Sequence, residues 1–427
     1  MSKKFSSVEF DQLLADLYEL QRLGIKVGLE HTQKLLEVCG DPQNNFMSIH
    51  IAGTNGKGST AAMVASILKA AGYKVGLYTS PHLLRFNERI RVNGRPISDD
   101  GIVEFMSQYK VAINEINSTF FEATTAMAFN YFGKKKVDIA VVETGLGGRL
   151  DSTNVLKPKI TIISSITADH TEILGKDLKT IAFEKGGIIK KGIPLILSAQ
   201  CEEVKNELFE IITKKRVDVL YCNQNEIETK CISETGTKFN WKGIDYETNL
   251  IGEHQANNAV LAIEASKKFS QKINFYIIID GLKNVKWPGR IQKLHKTLPI
   301  FYDVAHNPHG IQVVLDSLFA IYKKKPIGLM VLKADKEIEQ ISPKIKDRFQ
   351  ELIISSEPGL ELMEASDLYN SLVKVGINGT LEPEIAKAIK IVNNRVSKTN
   401  PCLIFGSHYI AETIYNNYDF SFDNGII

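Results

Sequence analysis

Residues 48 to 71 constrain the fold most. An apolar run, Ile49-His50-Ile51-Ala52, enters Gly53-Thr54-Asn55-Gly56-Lys57-Gly58-Ser59-Thr60 and continues into a helical pattern. A short continuous apolar strand joined to a helix belongs in a parallel sheet covered on both faces. The turn between them also suits polyphosphate. Its glycines let backbone amides face phosphate oxygens, the helix start adds partial positive charge, Lys57 neutralises the outer phosphates, and Ser59 or Thr60 holds Mg²⁺. Where the general phosphate loop has its first glycine and, after the lysine, a hydroxyl, this chain has Ile51 and Gly58. It is a shorter variant of that loop.

The same alternation recurs. Strand patterns at 74–79, 137–143, 160–166 and 194–198 are separated by helical ones at 123–133 and 178–190. Ser6 and Glu9 form a capping box for an opening amphipathic helix that carries Phe10, Leu13, Leu14, Leu17 and Leu20 and ends near Gly24. From 200 to 250 the pattern weakens to short β-prone pieces, read as a peripheral β segment. A helix follows from Gln255 to Phe269, and Trp287-Pro288-Gly289-Arg290 breaks the pattern as a domain boundary. Beyond it come strands at 299–304, 326–332, 351–355 and 402–405 and helices at 309–322, 383–394 and 408–416. The fold expected is α/β: a parallel-sheet phosphate-loop domain over 1–290, then a smaller Rossmann-like α/β domain over 291–427.

At 427 residues two such domains fit the usual span of roughly 100–200 residues each. Lys plus Arg is 52 against Asp plus Glu 49, a balance that argues against a dedicated nucleic-acid binder and leaves room for local basic pockets. The lysine triplets at 134–136 and 323–325 read as solvated turns. The N-terminus lacks an apolar leader, and no run approaches the ~18 apolar residues of a membrane span, so a cytoplasmic protein with no membrane partner is expected. Five cysteines without metal spacing read as free thiols.

Open parallel sheets bind ligands beyond the carboxyl ends of their strands. There the chain places Ser80-Pro81-His82, then Glu143-Thr144-Gly145-Leu146-Gly147-Gly148-Arg149, then Asp169-His170-Thr171. Ser80 and Glu143 are hard-oxygen candidates for Mg²⁺, and His170 a less common one, with two metal sites open. As single residues they also read as ordinary loop and capping groups, and Gly145, Gly147 and Gly148 as turn formers. Pattern alone makes Lys185 a surface lysine at a helix end. In the second domain, Asp303 suits a ribose, His306 a phosphate or shared substrate, and Asn307 a helix cap.

Together these segments, with Phe120-Phe121-Glu122, Leu150-Asp151-Ser152-Thr153-Asn154 and Trp287-Pro288-Gly289-Arg290, resemble the folylpolyglutamate synthase and dihydrofolate synthase family of the Mur ligase superfamily. The likeness spans nearly the whole chain, and the short phosphate loop is that superfamily's own form. The resemblance implies a monomeric, ATP-dependent, amide-forming ligase. It assigns Thr54, Asn55, Gly56, Lys57, Gly58, Ser59, Asn258, Arg290 and Asp303 to ATP, the last two drawing the nucleotide to both domains. It also assigns Ser80, Glu143 and His170 to Mg²⁺, and it implies that Lys185 is carbamylated. Folate recognition falls to Lys26, Val27, Gly28, Phe120, Phe121, Glu122, Leu150, Asp151 and Ser152, with His31 standing where an arginine is common. Lys57, Lys185 and His306 are the catalytic set.

The expected reaction activates a folate or dihydropteroate carboxylate as an acyl phosphate and joins it to L-glutamate. Folylpolyglutamate synthesis alone, a different Mur-type ligation and a nucleotide switch are the competing readings.

Overall fold

The computed structural model describes residues 7–24, 28–418 and 420. Ser6 of the expected capping box and Lys26 and Val27 of the expected folate segment lie outside them. The described residues form two compact units, one of those up to 226 with 257–284, the other of 227–256 with those from 285 to 420.

In the first unit, an eight-stranded sheet is built from β1 (Met47–Ala52), β2 (Val75–Tyr78), β3 (Ile90–Val92), β4 (Arg95–Pro96), β5 (Ile139–Glu143), β6 (Ile160–Ile163), β7 (Leu195–Ser198) and β8 (Val219–Cys222). Its order is β4-β3-β2-β5-β1-β6-β7-β8. All neighbours from β2 to β8 are parallel, and β3 and β4 add an antiparallel edge. From β1 the chain crosses to β2 on one side, and from β5 it crosses back to β6 on the other. The loop after β1 therefore opens at the switch point, where parallel sheets leave a crevice for ligands.

Burial explains why these segments read so clearly. Every residue of β2, β5, β6 and β7 is buried, as a sheet covered on both faces requires. The helix Lys57–Ala70 is buried continuously from Ser59 to Leu68 because the helix Phe275–Asn284 packs on it. Gly281 makes that approach possible: a Cβ there would lie 2.5 Å from Ile67 Cα, and the Gly281 carbonyl accepts from Ser66 Oγ at 2.7 Å. Alanine favours a helix interior by about 1 kcal/mol over glycine, but overpacking against backbone costs about 1–3 kcal/mol. Gly281→Ala is therefore expected to lower the urea midpoint of unfolding, with activity per folded molecule retained.

The segment expected to be peripheral β over 200–250 is more varied. It opens with the helix Glu202–Lys215, which buries Val204, Leu208 and Ile212 at helical spacing. β8 then completes the large sheet. β9 (Ile227–Ser233), β10 (Gly236–Trp241) and β11 (Ile244–Thr248) form an antiparallel sheet that belongs to the second unit. It is held there by Glu234, whose carboxylate accepts from both Lys293 and the Tyr322 hydroxyl.

The second unit's larger sheet contains β12 (Gln292–Lys293), β13 (Ile300–Asp303), β14 (Ile327–Met330), β15 (Glu351–Ser356), β16 (Thr380–Glu384) and β17 (Cys402–Phe405) in the order β12-β13-β17-β14-β15-β16. Only the β12–β13 pair is antiparallel.

Candidate active site

The turn after β1 is shaped by two glycines with no room for a side chain. Gly53 has φ +149°, and a Cβ there would lie 2.0 Å from Ser164 Oγ. Gly56 has φ +85° and caps the helix Lys57–Ala70; its Cβ would lie 2.3 Å from Oδ1 of the buried Asn258. This contact puts Asn258 against the phosphate loop. The Lys57 ammonium donates to the Thr54 carbonyl at 3.1 Å and lies 3.9 Å from Glu143 Oε1. Ser59 and Thr60 are both buried.

Glu143, at the end of β5, is also buried. Its Oε2 accepts from the backbone amide of Ser80 at 3.3 Å, which brings the ends of β2 and β5 together beside Lys57. Among the described residues no group of three or more His, Cys, Asp and Glu side chains is arranged to hold a metal. One buried carboxylate beside a serine and a phosphate loop still fits Mg²⁺, which takes few protein ligands and completes its shell with water and phosphate oxygens. His170 is exposed at the start of the short helix Thr171–Leu174, with φ +51°.

Lys185 is not the surface residue its pattern suggests. It is 5% exposed, and its Nζ donates to the Gly53 carbonyl at 2.9 Å. Burial, reinforced by the neighbouring Lys57 charge, pushes its pKa down to about 7, against the opposing pull of Asp169 and Asp151. Glycines make the burial possible. A Cβ on Gly148 would meet the Lys185 carbonyl at 2.8 Å, and one on Gly187 would lie 2.3 Å from Arg149 Cα. Arg149 seals the contact by donating its amide to Glu184 O at 2.7 Å and a guanidinium nitrogen to Glu184 Oε1 at 2.8 Å. Of the three loop glycines only Gly147 has positive φ; Gly145 and Gly148 serve close packing.

The residues expected to meet folate divide by what already holds them. Both oxygens of buried Asp151 are engaged. Oδ2 accepts from the amides of Gly145 and Leu146 at 2.9 Å, and Oδ1 accepts from the Thr153 amide and hydroxyl. Since the Thr153 hydroxyl donates to Asp151, buried His50 donates to it in turn through Nε2 at 2.8 Å. Desolvation keeps His50 neutral, its pKa lowered to about 3. Asp151 thus braces the loop after Glu143.

Glu122 closes a reciprocal cap with Thr119 at the start of the helix Phe120–Lys135, and its Oε1 lies 3.6 Å from His31 Nδ1. Phe120 stacks on Tyr18 with ring centroids 5.6 Å apart. Half-buried Phe121 lies over Gly145, where a Cβ would come within 2.3 Å of Cζ. Ser152 is buried and Leu150 half-buried; a Cβ on Gly28 would meet Glu30 Oε2 at 2.2 Å.

One neighbour, Arg89, carried no sequence signal. Buried Arg89 sits over the Phe120 ring at 5.2 Å, and its Nε donates to His82 Nδ1 at 2.8 Å, which leaves His82 with its proton on Nε2. Arg89 lies in the stretch between two short strands, where its charge reads as a solvated loop.

In the second unit, Asp303 is buried and likewise occupied. Its oxygens accept from the amides of Ile291 at 2.8 Å and Ala305 at 2.7 Å. Burial raises its pKa, against the opposing Arg290 charge and the backbone donors. Ile291 has φ +41°, a costly conformation for a β-branched residue, and the bond to Asp303 holds it there beside Arg290. His306 Nδ1 lies 3.0 Å from the Val304 carbonyl and donates its proton to it. Asn307 caps the helix Pro308–Tyr322 by accepting from the Gly310 amide at 2.8 Å.

Comparison with known proteins places this geometry in a family. The Mur ligase middle domain matches residues 51–266, and the Mur ligase, glutamate ligase domain matches 289–408. The dihydrofolate synthase/folylpolyglutamate synthase of Bacillus subtilis is 33% identical over 417 residues, covering 92% of this chain and 95% of its own. Among solved structures, Mycobacterium tuberculosis folylpolyglutamate synthase complexed with ADP and AMPPCP aligns with a TM-score of 0.87 at 27% identity, over 97% of this chain and 99% of that one. Escherichia coli FolC in complex with DHPP and ADP aligns with a TM-score of 0.84 at 28% identity, over 95% and 97%.

Proposed function

Because the chain belongs to the Mur ligase family, among the dihydrofolate synthase/folylpolyglutamate synthase enzymes, we propose that it is an ATP-dependent ligase that joins L-glutamate to folates and to dihydropteroate. The observation that carries this reading is the gathering of Lys57, Glu143, Ser80 and Lys185 around the turn at 53–57.

A folate carboxylate oxygen forms a bond to the γ-phosphorus as the bond to ADP breaks, giving an acyl phosphate. The glutamate amine then forms the C–N bond, loses a proton and expels phosphate. Lys57 and the turn amides offset charge on the transferring group, where positioning and electrostatics supply most of the rate. Glu143 and Ser80 are the residues to hold Mg²⁺, with His170 as a further ligand. That ion, when bound, neutralises phosphate charge. Asn258, Arg290 and Asp303 are assigned to the nucleotide. His306, held by its Nδ1 bond to the Val304 carbonyl, is assigned to orienting the acyl-transfer step.

Lys185 suits carbamylation: its neutral amine forms an N–C bond to CO₂ and releases a proton. The reaction requires the unprotonated amine, and a pKa near 7 supplies it at neutral pH. It also exchanges repulsion from Lys57 for attraction. One N–H remains to donate to the Gly53 carbonyl.

The test is glutamate ligation by the purified enzyme with Mg-ATP, run separately on dihydropteroate and tetrahydrofolate. Phosphate release that depends on both the acid and glutamate is expected with each. Release indifferent to either would overturn the ligase reading, and turnover of tetrahydrofolate alone would narrow it to folylpolyglutamate synthesis, the activity named for the Lacticaseibacillus casei relative.

A further inference from the structure

The phosphate loop is bonded to the segment after β6 as closely as to its own helix. The amides of Thr54 and Asn55 donate to the Ser165 carbonyl at 2.7 and 3.2 Å. Thr54 Oγ1 accepts from the Thr167 amide at 3.1 Å and donates to the Thr167 carbonyl at 2.9 Å. Asn55 Nδ2 donates to Thr167 Oγ1 at 3.1 Å, and Ser164 Oγ donates to the Asn55 carbonyl at 2.8 Å.

The far side of that segment is held by Gln200. Its Nε2 donates to the Ser164 carbonyl at 2.9 Å and its Oε1 accepts from the Ile166 amide at 3.0 Å. One side-chain amide thus bonds a carbonyl and the amide two residues on, extending the β6–β7 ladder beyond its last strand pair.

We propose that Thr167, supported by Gln200, is a positioning residue that sets the phosphate loop in register with the Asp169-His170 loop immediately after it. Thr167 meets both the Thr54 and the Asn55 side chains, and its chain leads in two steps to Asp169. Removing the Thr167 hydroxyl takes away an acceptor that holds the Asn55 amide. The inference rests on the ligase reading for its kinetic effect, while the bonds themselves do not depend on it.

Thr167→Val keeps the β-branched shape and the backbone bonds and removes only the hydroxyl. In the full-length enzyme, kcat for glutamate ligation is expected to fall about 10-fold with KM for ATP within about two-fold of wild type. Amide hydrogen exchange at 54–57 is expected to quicken about five-fold, roughly the loss of one hydrogen bond. Thr167→Ser should restore both. Unchanged exchange and unchanged kcat in the valine variant would overturn the proposal, as would a serine variant no better than valine. If the wild-type enzyme ligates no glutamate but exchange still responds to the hydroxyl, the brace stands and the ligase reading falls.

Discussion

Lys185→Ala is expected to lower glutamate ligation by about 10²- to 10³-fold, comparable to losing a preorganised electrostatic group worth about 3–4 kcal/mol in a buried site. Two effects combine. The substitution empties a space around a side chain that is 5% exposed, and it orphans the Gly53 carbonyl at the root of the phosphate loop. It also removes the group proposed to become anionic. A carbon-13 NMR carbamate signal from enzyme equilibrated with labelled CO₂ is expected in the wild type and absent in the variant, and ligation should weaken in CO₂-depleted buffer.

The pH sense follows from the lowered pKa. Below about 7 the amine is protonated and cannot attack CO₂, so carbamate and activity should decline together as pH falls through that value. For stability, the unfolded chain carries the proton up to the ordinary lysine value of 10.5 while the folded amine sheds it near 7. Unfolded molecules therefore bind more protons across that window, and this group makes stability rise with pH between 7 and 10.5. A wild-type signal that is missing, or a variant with near-normal turnover, would remove Lys185 from the mechanism.

The sequence made this site legible where chemistry follows a buried strand. The strand patterns around β1, β5 and β6 are largely apolar runs, so the loops carrying Gly53, Glu143 and Asp169 could be placed on one sheet edge from pattern alone. What escaped were contacts made across long separations. Lys185 has the pattern of a solvated helix end, and its burial is decided by a carbonyl 132 residues earlier together with the space left by Gly148 and Gly187. Asp151 looks like any loop carboxylate until four donors are counted around it. The edge hairpin of β3 and β4 was signalled by Asn93-Gly94, both at positive φ as a tight primed turn needs. Arg89 and Arg91, both buried, deprive that segment of the alternation that marks a strand. The helix Glu202–Lys215 was signalled by Val204, Leu208 and Ile212 within a highly charged stretch.

The same physical argument ranks the glycines and yields the second large effect. Gly56→Ala is expected to weaken ADP binding roughly a hundred-fold, about 3 kcal/mol, from two costs that fall on one atom. A left-handed backbone at φ +85° costs an alanine about 1–2 kcal/mol, and its Cβ would press on Asn258 Oδ1 at 2.3 Å. Asn258 is buried and cannot swing into solvent, so the loop must yield, and with it the amides proposed to face phosphate.

Gly72 separates the two costs. It has nearly the same φ, +88°, but nothing lies within 4 Å of its Cβ position. Gly72→Ala should therefore lower stability by about 1–2 kcal/mol and leave ADP affinity unchanged. Equal effects of the two substitutions on ADP affinity, measured by calorimetry, would mean that crowding against Asn258 plays no part in holding the loop.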